Sequence, residues 1–124
     1  MLDHLIIRVK DFCTMSVYYE KVLATLGYHR GVEYPGGLQL VNDVDGDSVW
    51  ISALGDAPAG APLHLAWLAS GPEQVQSFYE AALEEGGTDN GAPGPRDYHP
   101  GYYACFVLDP EGNNIEAVIH DYQA

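Results

Sequence analysis

The chain has 124 residues, enough for one compact domain with a substantial core, and its 47% hydrophobic and 11% aromatic content is globular in character. Its 18 acidic side chains against 5 basic ones give a formal net charge of -13, which argues against any partner whose phosphates must be neutralised, nucleic acid above all. No stretch approaches the roughly 18 uninterrupted apolar residues of a membrane span, and Met1-Leu2-Asp3-His4 runs straight into a strand pattern instead of a basic signal-peptide start.

Leu2 to Val9 alternates as a strand, with Leu5, Ile7 and Val9 on one face and His4, Ile6 and Arg8 on the other. Asp11 to Gly27 is expected to be a helix, with Val17, Val22, Leu23 and Leu26 as its apolar stripe and Gly27 as its stop. Three short strands follow, Tyr28 to Tyr34, Leu38 to Asn42 and Ser48 to Leu54, separated by turns at Pro35-Gly36-Gly37 and Asp45-Gly46-Asp47. Gly55 to Pro62, rich in Ala, Gly and Pro, reads as a linker.

A second series opens at Leu63 to Ala69, with His64, Ala66 and Leu68 on one face. Its helix runs from about Pro72, a residue tolerated in a first turn, to Glu85. Asn90 to Gly101, holding Pro93, Pro95 and Pro100, reads as a long loop. Tyr102 to Leu108 and Asn114 to His120 then form a hairpin across Asp109-Pro110-Glu111-Gly112-Asn113. The order is βαβββ twice.

The two series echo one another at an offset of 60 residues: His4 is matched by His64, Tyr18-Tyr19-Glu20 by Phe78-Tyr79-Glu80, and Gly27 by Gly87. A fixed period marks a duplicated supersecondary unit. It also sets two histidines at equivalent strand starts, which is how a paired site is built. The two cysteines, Cys13 and Cys105, are too few for a disulfide scaffold and read as free thiols, so a cytoplasmic protein is the simplest expectation.

Asp3-His4, Tyr18-Tyr19 followed by Leu26-Gly27, His64, and above all Phe106-Val107-Leu108-Asp109-Pro110-Glu111-Gly112-Asn113-Asn114-Ile115-Glu116 resemble the vicinal oxygen chelate superfamily, which includes glyoxalase I, extradiol dioxygenases, fosfomycin-resistance proteins and bleomycin-binding proteins. The resemblance covers essentially the whole chain. It implies an α+β fold: two tandem βαβββ modules forming a curved mixed-sheet cup with helices on the outside, here modules of about 1–55 and 62–124 in one domain spanning 1–124. It also implies a divalent metal in the cup and, commonly, a homodimer.

Carried over residue by residue, the family's metal ligands fall on His4, His64 and Glu116. Two imidazoles and one carboxylate on three strands make a facial set that leaves positions open for substrate oxygens or water, and such ligands suit zinc, iron, nickel, cobalt or manganese. With Glu116 facing the cup, Asn114, Val118 and His120 face it too. Taken singly, each ligand is an ordinary polar residue at a strand start. Glyoxalase I-like members carry a fourth ligand where this chain has Trp50, which cannot bind a metal, so glyoxalase I chemistry does not follow.

Three substrate-binding candidates remain. Arg8 pairs with a substrate carboxylate or simply with an acidic side chain. Trp50 lines the pocket where the fourth ligand would be. Tyr103 points its hydroxyl toward a metal-bound ligand or packs in the core. Tyr98 and His99 sit in the proline-rich loop as a lid or as neutral surface, and His29 and His120 read as surface or edge residues. The expectation is a metal-dependent, glyoxalase- or dioxygenase-like enzyme, a lyase or a dioxygenase, acting on a small molecule that chelates the ion through adjacent oxygens. Two alternatives stay open: a metal-free binding module similar to bleomycin-resistance proteins, and an interaction domain with a vestigial site.

Overall fold

In the computed structural model, which describes residues 1–124, the elements in chain order are β1 (His4–Val9), α1 (Phe12–Ala24), β2 (Tyr28–Tyr34), β3 (Gly37–Asn42), β4 (Ser48–Ala53), β5 (His64–Leu68), α2 (Pro72–Glu84), β6 (Thr88–Pro95), β7 (Tyr103–Leu108) and β8 (Asn114–Ile119). They fall into two compact units, Met1–Ala61 and Pro62–Ala124. The first holds a four-stranded sheet of order β1-β4-β3-β2, the second one of order β5-β8-β7-β6. In each, the first and last strands of the unit run parallel and the other neighbours antiparallel. The repeat seen in the sequence is thus a repeat of topology. No helix is long and apolar enough to cross a membrane.

Each helix covers one face of its own sheet. The Asp11 side chain caps α1 by accepting from the Thr14 amide at 3.1 Å, and that bond holds its carboxyl below the usual carboxylate range. Met15, Tyr18, Tyr19, Val22 and Leu23 then recur at helical spacing and are buried with Ile7, Val9, Leu38, Leu40, Val49 and Ile51. Val17, expected in the apolar stripe, is 47% exposed, because it stands five residues before Val22 and so falls off the stripe that Tyr18 and Tyr19 fill. Helix α2 starts at Pro72 and buries Val75, Phe78 and Ala82, with Ile115, Ala117, Cys105 and Val107 in the same core. Burying each of the large side chains contributes roughly 1.5–3 kcal/mol.

The main correction concerns Asn90 to Gly101. Instead of a continuous loop, Thr88–Pro95 forms β6, the edge strand of the second sheet. Prolines cannot donate to a ladder, but an edge strand has a side with no ladder to complete. The register against β7 shifts between Asp89 and Gly91 and again between Gly91 and Gly94. Gly91, at φ +149°, is required there: a Cβ would stand 3.0 Å from the Arg96 guanidinium and 3.1 Å from the Phe106 ring.

The Asp109–Asn113 turn does more than reverse the chain. Asp109 Oδ1 accepts from the amides of Glu111 and Asn113, both at 2.9 Å, and Oδ2 accepts from the Asn113 side chain at 2.8 Å. Asn113 in turn accepts from the Leu63 amide through its Oδ1 at 2.8 Å, and the Asn114 amide donates to the Leu63 carbonyl at 2.8 Å. The motif therefore fastens the start of β5 to the start of β8. His64 is set opposite Asn114 and Ala66 opposite Glu116.

Candidate functional site

In the second unit, pairing of β5, β8 and β7 puts His64, Ala66, Asn114, Glu116, Val118 and Phe106 on the sheet face away from α2. Glu116 is nevertheless 2% exposed. Its Oε1 lies 3.2 Å from His64 Nε2, and its Oε2 accepts a short hydrogen bond from the Tyr102 hydroxyl. The other imidazole nitrogen, His64 Nδ1, is 2.9 Å from the Asn114 carbonyl. A carbonyl can only accept, so Nδ1 carries a proton and Nε2 of the neutral ring presents a lone pair. The ring is further held by Phe106, stacked at 6.2 Å, and Phe106 by the Arg96 guanidinium, 5.4 Å above its centroid. The Asn114 Oδ1 atom is buried and unpartnered.

In the first unit, His4 opens β1 and its Nδ1 lies 2.8 Å from the Asp3 carboxylate. That carboxylate also accepts only, so His4 likewise presents Nε2. Trp50 lies opposite Ile6, two residues beyond His4, as Glu116 lies opposite Ala66, two beyond His64. The register thus puts Trp50 at the position equivalent to Glu116. Trp50 packs at 6.0 Å from Tyr34, and Arg8 is exposed on the same sheet face, opposite Ser52. Neither unit alone gathers three His, Cys, Asp or Glu side chains at metal-ligand spacing.

Tyr103 takes the second of the two placements open to it in the sequence, packing on the α2 side of the sheet. It pairs with Ile119 and stacks on Tyr122 at 4.4 Å, and burial with the neighbouring Tyr122 pushes its hydroxyl up. The residue that reaches Glu116 is Tyr102, which the sequence reading missed. Counting back in steps of two from the hairpin would have found it: Leu108 pairs with Asn114 and Phe106 with Glu116, so 102 shares their face. His120 and His99, read as an edge residue and a loop residue, meet at 2.9 Å between His120 Nδ1 and His99 Nε2.

Burial, and then the hydrogen bond to Glu116, push the Tyr102 hydroxyl up from 10.0 to about 12, and burial pushes the Cys105 thiol up to about 11. The contribution of Tyr102 to stability is whole below pH 10 and is lost as pH rises through about 12, because the unfolded chain releases the proton first. Urea midpoints of the parent and of Tyr102→Phe should therefore converge across that window and keep a constant separation below it. A separation that stays constant up to pH 12 would contradict this account.

The Glyoxalase family profile, described as the Glyoxalase/Bleomycin resistance protein/Dioxygenase superfamily, matches residues 1–117. The chain belongs to this superfamily. Among solved structures, a glyoxalase/bleomycin resistance protein from Albidiferax ferrireducens T118 is 27% identical, with 95% of this chain and 97% of that chain covered and a TM-score of 0.81. A glyoxalase/bleomycin resistance protein/dioxygenase family enzyme from Burkholderia phytofirmans PsJN is 22% identical over 94% and 95% of the two chains, with a TM-score of 0.71. TioX from Micromonospora sp. ML1 is 16% identical over 97% and 98%, with a TM-score of 0.72. Among curated proteins, none matches. The paired four-stranded mixed sheets and two helices are the fold of this superfamily, as the resemblance implied.

Proposed function

We propose that this superfamily member holds a divalent metal ion through His4, His64 and Glu116 and acts as an enzyme on a small molecule that chelates the ion through adjacent oxygens. One observation carries the reading. His64 Nδ1 must donate to the Asn114 carbonyl, so in the neutral ring the Nε2 lone pair faces the Glu116 carboxylate at 3.2 Å. Two acceptors at that separation repel unless a cation stands between or beside them. A metal ion satisfies both, with each donor in its ordinary ligand form.

The donor set fits such an ion. Both histidines have Nδ1 anchored, by Asp3 and by the Asn114 carbonyl, which is the outer-shell arrangement that aims Nε2 at a metal. Tyr102 occupies Glu116 Oε2 and leaves Oε1 turned toward His64. Phe106 fixes the plane of the His64 ring. When bound, the metal would act as a Lewis acid on a substrate oxygen. Trp50 bars a fourth protein ligand and lines the site, and Arg8, exposed on the His4 face, is available to a substrate carboxylate. Tyr103, turned toward α2, has no part in this reading; Tyr102 takes its place. Two free cysteines suit a cytoplasmic setting, and the family resemblance supports a homodimer.

A second reading rests on Trp50 and Tyr34, whose rings pack at 6.0 Å. Here the cation between His64 and Glu116 is a proton, and the protein is a metal-free binding module. Metal analysis of protein purified without chelators or a histidine tag separates the two. Stoichiometric metal in the parent, lost in His4→Ala and His64→Ala, is the expected result. A metal-free parent that zinc, iron, nickel, cobalt and manganese all fail to stabilise thermally would leave the binding module standing.

A further inference from the structure

In a chain with 5 basic residues against 18 acidic ones, a cation with no carboxylate partner is informative. Arg30 is tied to Glu20 and Glu33. Arg96 contacts no carboxylate: Nη1 donates to the Gly94 carbonyl at 2.8 Å and to the Pro95 carbonyl at 3.3 Å, Nη2 donates to the Ala92 carbonyl at 2.8 Å, and the guanidinium lies over Phe106. A guanidinium has five N–H donors. These contacts leave Nε–H and one Nη2–H without an acceptor.

The same side chain lines an open cleft of about 390 Å³, a volume in the range of small-molecule sites. Pro95, Pro100, Tyr102 and Tyr122 supply the apolar and aromatic part of the cleft's wall. The Tyr102 wall is held in place: its ring meets those of Tyr98, His99 and His120 edge-on at 4.9, 5.3 and 5.2 Å. His99 Nδ1 donates to the Pro100 carbonyl at 2.8 Å, and its Nε2 lies 2.9 Å from His120 Nδ1. Exposed Asp97 also lines the cleft and would repel a second negative charge on a ligand.

We infer that this cleft is a subsite for an aromatic monocarboxylate, whose anion is received by Arg96 and whose ring lies against Tyr102 and Tyr122. The inference deepens the proposed function by naming a substrate class, since Tyr102 walls the cleft and also holds Glu116. A planar fork of donors suits a carboxylate, and a wall already ordered by its neighbours loses little freedom on binding.

The test is an NMR titration of chelator-treated protein with benzoate and with benzamide, which has the same shape without the charge. Benzoate should bind about tenfold more tightly than benzamide, and Arg96→Gln should remove that preference. Arg96 also ties together the carbonyls of β6, so Asp97→Asn serves as a second variant that leaves the staple intact. It should tighten benzoate binding by about two- to threefold and leave benzamide unchanged. Equal binding of the two probes, a preference that survives Arg96→Gln, or no tightening in Asp97→Asn would overturn the subsite. Because the titration is run without metal, its failure leaves the metal reading untouched, and a metal-free parent leaves the titration interpretable.

Discussion

Glu116→Gln should lower divalent-metal affinity by at least about 100-fold and yet leave the metal-free protein as stable as the parent, or more so. Loss of an outer-shell partner alone costs roughly 10- to 100-fold in metal affinity, and Glu116 is proposed as a direct ligand. The stability half of the expectation follows from the local geometry. On the metal reading, His64 is neutral in the metal-free protein, and a carboxylate that is 2% exposed then faces the Nε2 lone pair of a ring whose proton is held on Nδ1. An amide can turn its NH2 toward that lone pair and its oxygen toward the Tyr102 hydroxyl, and it removes a buried charge. Isothermal titration with zinc and thermal melts with and without chelator read the two halves. If the carboxylate were simply one arm of an imidazolium–carboxylate ion pair, Glu116→Gln would lower the melting temperature, and the parent would gain nothing from zinc. That pair of results would reject the metal reading.

Asp109→Ala should destabilise the fold by about 3 kcal/mol, roughly 10 °C in melting temperature for a chain of this size. Asp109 is 3% exposed, and its two oxygens receive the amides of Glu111 and Asn113 and the side-chain amide of Asn113. Alanine cannot accept any of the three, and donors left unmet in a turn that is partly buried cost more than the bonds were worth. A second effect is more diagnostic. Asn113, freed from Asp109, no longer has a fixed side chain to receive the Leu63 amide, so the start of β5 loosens against β8 and His64 loses its place beside Glu116. Hydrogen exchange at Leu63 and Asn114 should accelerate more than exchange in β3 and β4 of the first unit. A uniform loss across both units, or a change under 1 kcal/mol, would show that the motif is only a good turn.

The strand faces that carry the candidate residues were legible because strands have a period of two and the chain repeats itself. His4 and Arg8 share a face, as do Glu116, Asn114 and Val118, and the equivalence of Trp50 with Glu116 is reproduced by the strand register. The errors have equally local causes. Val17 is apolar and so reads as part of the α1 stripe, but the rings of Tyr18 and Tyr19 are the ones buried, and they turn their own face to the core. Asn90 to Gly101 reads as loop on its prolines and glycines, which the edge strand Thr88–Pro95 accommodates, over the part they share, with two register shifts. Tyr102, one position before the Tyr103 candidate, points to the opposite face, and that is the face of Glu116.

The sequence by itself determined the family, the duplicated order of elements, the candidate ligands and the turn motif, since all of these are local patterns of hydrophobicity, residue type and spacing. Tertiary structure alone decided what each polar group faces. Which nitrogen of His64 carries the proton depends on the Asn114 carbonyl, 50 residues away in the chain. That Glu116 is buried against Tyr102, and that Arg96 lies over a ring and beside a cleft instead of against a carboxylate, depends on β6, β7 and β8 being brought side by side. Hydrogen-bond partners and burial are properties of neighbours in space, and pairing between distant strands chooses those neighbours.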